Sequence, residues 1–378
     1  MTLPTEAFAA ALAGLPAMGP ARLAALLEGL TPRAAWARVS EGGALAHEAV
    51  AAVCRPNPAM IAATWKRAAR ATDVASCWSA YAANDVGVRV LGQPGYPTAL
   101  AYDHDAPRVL FHRGDLDALD GDRAAIVGTR RCTRYGHDVA RELGRDLARA
   151  GVRVVSGLAL GIDGAAHQGV LDATSGGGAP PVGVVGSGLD VVYPRAHRAL
   201  WAKVAGAGVL LSEAPLGAVP EPWRFPARNR IIAALATVVV VVESHARGGS
   251  RHTVDEAEAR CRPVLAVPGS VRNAASTFTN ELLAEGCHPA RDVTDVLVAL
   301  GLNASASGAA PVERRPVPDP DGARILDALG WEAATLDQVA ARTAQSPAQL
   351  SLALNRLERD GWVAVRSGWW ERVTEVGR

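Results

Sequence analysis

Lysine is nearly missing from this chain: of 39 basic residues, only Lys66 and Lys203 are lysine. The skew accompanies high alanine and glycine content, so arginine at a given position carries no message of preference over lysine. Paired cysteines are missing too. Cys54, Cys77, Cys132, Cys261 and Cys287 stand apart with no CxxC spacing, which excludes a disulfide framework or a zinc site of the usual pattern. No apolar run approaches the ~20 residues of a membrane span, and no basic n-region precedes the alanine-rich start. A soluble cytoplasmic protein is the expectation. Net charge is only +1, so no global field draws the chain to nucleic acid or membrane, and anion binding must be a local property. A Walker A sequence is lacking, which removes support for P-loop hydrolysis. The dinucleotide fingerprint also fails, because Val191 stands where Gly186 and Gly188 require a third glycine.

What is present is a core. With 378 residues, 49% of them hydrophobic, the chain suffices for two or three domains. Residues 1–83 read as an N-terminal domain of short helices, with Thr5 as the N-cap of the first. The run Leu15-Pro-Ala-Met-Gly-Pro-Ala-Arg-Leu is a tight turn between two helices. It resembles a single helix-hairpin-helix element, but one copy of so short a motif favours an ordinary αα-hairpin. From residue 84 to 300 apolar strands alternate with amphipathic helices. Strands are expected at 87–91, 109–112, 124–127, 152–156, 182–185, 209–212, 237–243 and 264–267. Repeated βα units define an α/β fold with a doubly wound parallel sheet. Function on such sheets gathers in the turns at the carboxyl ends of the strands.

Residues 301–320 have linker composition, and 321–378 read as three helices and a hairpin turning at Ser367-Gly368, a winged helix. Gln349, Asn355, Arg356 and Arg359 are its natural duplex contacts. From Glu313 onward, however, nine arginines face ten acids, so a protein contact fits at least as well as duplex DNA.

Four βα turns carry glycine together with arginine or polar residues. They are Val127-Gly-Thr-Arg-Arg, with Arg130 and Arg131; Ser156-Gly-Leu-Ala-Leu-Gly-Ile-Asp, opening with Ser156 and Gly157; Gly186-Ser-Gly, through Gly188; and Arg247-Gly-Gly-Ser-Arg, with Ser250 as N-cap and Arg251 in the next helix. Glycine permits close backbone approach, and backbone amides cradle anions. A fifth segment, Trp223-Arg-Phe-Pro-Ala-Arg-Asn-Arg, starts a helix before a five-valine strand. Phe225-Pro226 marks the entrance, which places Arg228 and Arg230 in the first turn against the macrodipole, typically at ~0.3–1 kcal/mol each. An anion between them removes that conflict; solvation, or pairing with an acid such as Glu221, is the alternative. Asp163 and His167 fall four residues apart, but no serine, cysteine or metal constellation completes a catalytic set. Several phosphate-sized sites beside an aromatic face suit a single-stranded nucleic acid. The candidate set comprises Arg130, Arg131, Ser156, Gly157, Gly186, Ser187, Gly188, Arg224, Phe225, Arg228, Asn229, Arg230, Ser250 and Arg251.

These residues match a known family. The run Ser156-Gly-Leu-Ala-Leu-Gly-Ile-Asp-Gly-Ala-Ala-His, then Gly186-Ser-Gly-Leu-Asp-Val-Val-Tyr-Pro, Ser212-Glu, Phe225-Pro-Ala-Arg-Asn-Arg-Ile-Ile and Ala266-Val-Pro-Gly closely resembles the DNA-processing protein A family (DprA, also called Smf). The resemblance implies an N-terminal helical SAM-like domain at 1–83 and a dimerising extended Rossmann fold that binds single-stranded DNA, protects incoming DNA and loads the RecA recombinase in natural transformation. It implies neither cofactor nor catalysis. By motif, Arg130, Phe225, Arg228 and Arg230 would meet DNA, with Gly186, Ser187 and Gly188 forming a backbone pocket. Two segments depart from the family pattern. Ser-Gly-Ser-Leu-x-Thr-Ala appears as Gly248-Gly-Ser-Arg-His-Thr-Val, and Gly-Thr-Asn-x-Leu-Ile as Phe278-Thr-Asn-Glu-Leu-Leu. The alternative is a nucleotide-processing enzyme of the lysine-decarboxylase-like type. Its Pro-Gly-Gly-x-Gly-Thr turn is only partly matched at Arg247-Gly-Gly-Ser-Arg-His-Thr.

Overall fold

The computed structural model describes residues 2–302 and 315–373. The chain divides into a large unit and a small C-terminal one. Six helices open the large unit: α1 (Thr5–Ala13), α2 (Pro20–Leu27), α3 (Pro32–Glu41), α4 (Glu48–Val53), α5 (Pro58–Ala71) and α6 (Val74–Ala83). Pro4, not Thr5, is the N-cap of α1, and no side chain caps it; Thr5 already has its place in the first turn. Side-chain caps occur instead at α3, where Thr31 accepts from Ala34 N with Pro32 following, and at α6, where Asp73 accepts from Ala75 and Ser76.

The sheet holds β1 (Gly87–Val90), β2 (Val109–Gly114), β3 (Arg123–Val127), β4 (Arg153–Ser156), β5 (Val182–Val185), β6 (Val209–Ser212), β7 (Val238–Val241), β8 (Val264–Ala266) and β9 (His288–Pro289). Their spatial order is β1-β2-β6-β5-β4-β3-β7-β8-β9. The strands from β6 to β9 are parallel, as alternation with helices requires. β1 and β2 depart from that expectation. They pair antiparallel with each other, and β2 pairs antiparallel with β6. The ladder continues from Val90 opposite Val109 to Leu91 N donating to Arg108 O, so the intervening segment returns alongside instead of crossing a face. That segment contains only the single turn α7 (Thr98–Ala101).

Covering helices are α8 (Arg134–Arg149), α9 (Ile162–Thr174), α10 (Arg198–Ala207), α11 (Arg224–Leu235), α12 (Arg251–Glu258), α13 (Thr277–Ala284) and α14 (Val293–Ala299). The five-valine run shows why β7 is central. Val239 and Val241 pack into the cluster shared with α11, α12 and α13, while Val238 and Val240 pack into the one shared with α8, α9 and α14. Side chains alternate across the pleat, so a strand covered twice reads as continuous valine. The N-terminal helices share a third cluster with Val88, Phe111 and Trp201, which ties them to the antiparallel end of the sheet.

The small unit holds α15 (Pro320–Leu329), β10 (Ala334–Thr335), α16 (Leu336–Thr343), α17 (Pro347–Arg359), β11 (Val363–Arg366) and β12 (Trp369–Arg372). Ser367 and Gly368 both have positive φ (49° and 84°), as a two-residue hairpin turn with the right twist demands. Thr335 and Gln338 close a reciprocal capping box at α16. β10 adds a third strand to the expected three helices and hairpin, pairing with β12. This is a winged helix. Most of the segment expected to be a linker, 303–314, lies outside the described residues. On α17, Arg356 sits 3.4 Å from Asp319 and Arg359 3.7 Å from Asp360, so two of its outward cations are already offset by acids.

Candidate nucleic-acid interface

After β3 the chain runs to β4, β5 and β6 on one side, then returns to β7 on the other. The crevice beyond the carboxyl ends of β3 and β7 is therefore the topological switch point, where doubly wound sheets take ligands. A cleft of ≈ 550 Å³ opens there, lined among others by Thr129, Arg130, Arg131, Phe225, Arg228, Asn229, His245, Arg247, Ser250 and His252. Its walls are tied together. Thr129 N donates to Glu243 O at 2.7 Å, Thr129 Oγ1 meets His245 Nδ1 at 3.3 Å, and Asn229 Nδ2 donates to Gly249 O at 3.4 Å.

A smaller pocket adjoins the cleft, lined by Arg130, Gly157, Leu160, Gly186, Ser187, Tyr193, Phe225 and Arg228 among others. Phe225 stands between the two. The Arg130 guanidinium lies 4.7 Å from its ring centroid, and the Tyr193 ring 5.6 Å away, tilted by 38°. Tyr193 and Leu160 remain exposed. Aromatic surface beside exposed guanidinium groups has the composition of a base-stacking platform with adjacent phosphate contacts.

Arg228 forms the floor of both cavities and is buried. Its Nη1 donates to Val184 O at 2.7 Å, and Nε has no partner among the described residues. A Cβ on residue 157 would lie 1.6 Å from that Nη1. Gly157 is thus glycine because a guanidinium occupies the place of its side chain. Burial pushes the Arg228 pKa down to about 10, opposed by Asp163 and reinforced by Arg130. Asp163 is buried as well, which raises its carboxyl, while Arg228 and hydrogen bonds from Ala159 and Gly157 work the other way. A buried cation with one neighbouring acid and one neighbouring arginine favours an incoming anion, because little water screens it.

The other candidates separate. Ser156 donates to Ile126 O at 2.6 Å and Ser187 to Val191 O at 2.7 Å, so both hydroxyls brace turns. Gly188 packs against the 215–218 segment, where a Cβ would meet Pro215 O at 2.5 Å. Ser250 lines the cleft but caps nothing; its hydroxyl donates to Ser244 Oγ at 2.6 Å, and its backbone is already helical. The helix expected to open at Phe225-Pro226 begins at Arg224 instead. That earlier start moves Arg228 and Arg230 out of the first turn and away from its free amides. Arg230 is buried, paired through Nη2 with Glu213 and through Nε with Asp105 at 3.3 Å. Glu221 is the partner of Arg224 at 3.1 Å, not of Arg228 or Arg230. Arg251 turns away to Glu281 at 3.2 Å and lies 4.3 Å over the Phe278 ring. The two segments that depart from the family pattern therefore meet each other. The cation of the first lies over the ring that stands where the second pattern has glycine, and pairs with the carboxylate at that pattern's variable position.

Sequence reasoning passed over Arg247, His245, Tyr193 and Leu160 as site residues. The only signal was position: all four fall in or beside turns already singled out. Asp163 and His167 share α9 one turn apart, both buried. The His167 ring nitrogens have no hydrogen-bond partner among the described residues, and burial pushes its pKa down to about 4. Between pH 6.5 and 4 the unfolded chain then binds more protons than the folded one, so stability falls as pH drops through that window. A displacement of this size corresponds to about 3 kcal/mol. Urea titrations across this pH range should show the loss in the wild type and a flatter profile in His167→Leu; parallel profiles would refute the assignment. Among the described residues no group of three His, Cys, Asp or Glu is placed to hold a metal ion, and no helix is long and apolar enough to cross a membrane.

An arginine-lined cleft at the switch point of a doubly wound sheet, joined to a winged helix, defines a class of α/β proteins. Within that class the chain belongs to the DNA recombination-mediator protein A family, whose model matches residues 87–301, and the DprA winged helix domain matches 309–368. Protein Smf of Escherichia coli is 34% identical over 284 residues, covering 74% of this chain and 75% of that one. The X-ray structure of DNA processing protein A from Streptococcus pneumoniae superposes with TM-score 0.63 at 30% identity, over 79% of this chain and 98% of that one. DNA processing protein A from Helicobacter pylori, whose structure was described for its single-stranded DNA binding mode, gives TM-score 0.51 at 29% identity, over 57% and 97%.

Proposed function

We propose that this chain binds single-stranded DNA along the switch-point cleft, as a homodimer in the cytoplasm, protects incoming strands and delivers them to the RecA recombinase without catalysing a reaction itself. One observation carries the reading: Phe225 stands at the junction of two cavities with the Arg130 guanidinium over its ring and Arg228 beneath. Single strands offer what this arrangement recognises, a continuous row of phosphates and bases free to stack, whereas a duplex hides its base faces. The Helicobacter pylori relative, with its single-stranded DNA binding mode, supports the same ligand. The winged helix, with its acids offsetting α17, is accessory on this reading.

Gel-shift titration of single- and double-stranded DNA of equal length at two salt concentrations tests the proposal. The expected result is preference for the single strand, with affinity falling as salt rises. Phe225→Ala should lose ~1–3 kcal/mol of single-strand affinity, the range of one base–aromatic stack. Equal binding of both forms, or an unaffected Phe225→Ala, would count against it.

A further inference from the structure

Trp223 and Phe225 sit two residues apart at the start of α11 yet line different cavities. Phe225 belongs to the switch-point cleft and its adjoining pocket. Trp223 lines a second cleft, of ≈ 670 Å³, walled by the hairpin turn between α1 and α2 and by the 215–218 segment. A narrow cavity joins the two systems. It shares Gly186 and Arg228 with the Phe225 pocket, and Gly19, Trp223 and Arg224 with the outer cleft.

Resting on the single-strand reading above, we infer that the DNA continues around the start of α11 into this outer cleft, with Trp223 as a second base-stacking platform. Trp223 is 44% exposed, yet it is held in place. Its Nε1 donates to Glu221 at 3.1 Å, and the Arg224 guanidinium lies 4.4 Å from its ring centroid. Its ring edge faces Gly19, where a Cβ would stand 3.8 Å away. A ring fixed on several sides and still open to solvent offers a flat face at little entropic cost. The charge balance suits a phosphate backbone. Glu221 is the one carboxylate among the described residues lining the outer cleft, and it is already engaged by Trp223 and Arg224. Arg22 lines the same cleft, anchored by Nε to Val53 O at 3.3 Å and by Nη1 to Ala17 O at 2.5 Å. The helical N-terminal region thereby becomes part of the DNA path as well as a partner in the core.

Length dependence and photo-crosslinking test this. Oligothymidylates of ~4 and ~16 nucleotides are the short and long ends of the site sizes seen for OB folds, another single-strand-binding module. The full-length wild-type chain should bind the longer one more tightly. Trp223→Leu keeps apolar packing against the Gly19 turn but removes the π-face, and should collapse that gain by roughly five- to a hundredfold, the equivalent of one lost stack. Crosslinks from 5-bromodeoxyuridine placed toward one end of the longer strand should map to the Trp223 peptide, a readout that does not depend on a variant's stability. A Trp223→Leu chain that keeps the full gain, or crosslinks confined to the Phe225 and Tyr193 peptides, would overturn the inference while leaving the switch-point site intact. A wild type that binds neither length would instead remove the parent reading.

Discussion

Replacing Arg130, Arg131 and Arg247 together by alanine is expected to weaken single-strand binding about a hundredfold at ~0.1 M salt and to lower the salt slope by about 2. All three are exposed at the rim of the cleft, and none has a carboxylate partner among the described residues. Each phosphate neutralised on a single strand contributes roughly 0.7 to the slope of log affinity against log salt, so three contribute about 2. If the affinity extrapolated to 1 M is unchanged, a slope difference of about 2 is about two decades at ~0.1 M. Among the described residues none of these side chains makes an ion pair or hydrogen bond, and the one ring contact, Arg130 over Phe225, is partly open to solvent, so the melting temperature should stay near wild type. A triple variant with the wild-type slope would remove these residues from the interface.

Arg230→Ala is expected to act on the fold instead, costing about 3–5 kcal/mol, as removal of one member of a buried ion pair does. It leaves Glu213, buried behind Tyr96, without its cation, and Asp105 without its partner at the surface. Burial already pushes the Glu213 carboxyl up; Arg230 is what opposes that shift. The double replacement Arg230→Met with Glu213→Leu should recover much of the loss, because apolar groups of similar volume carry no desolvation penalty. Denaturant titration measures both variants. A stable Arg230→Ala chain with a reduced salt slope would place Arg230 on the DNA after all.

The contrast between the rim arginines and Arg230 shows where local reading ends. Arg130 and Arg131 follow a strand-end glycine and come to the rim of the cleft, as that position suggests. Arg228 and Arg230 look equivalent in the sequence. One lies beneath the cavities against Gly157, and the other is drawn across to Glu213 and Asp105. A single shift in where α11 begins, from Phe225 to Arg224, also changes which turn the cations occupy. That shift depends on the Glu221–Arg224 pair and the preceding chain, which no periodicity encodes.

The sequence by itself determined the alternating βα order, the doubly buried valine strand, the winged helix and its two-residue hairpin, and the row of glycine and arginine turns at one edge. Each follows from interactions a few residues apart, through pleat, helical period and turn dihedrals. Only the tertiary structure decided which arginines face the cleft, since their partners are remote: Glu213 lies 17 residues and Asp105 125 residues from Arg230 in the chain. It alone also set Arg251 against Glu281 and Phe278, and Trp223 against the turn at Gly19. Charge and ring contacts of this kind are chosen by distance in space, and for them separation along the chain carries no information.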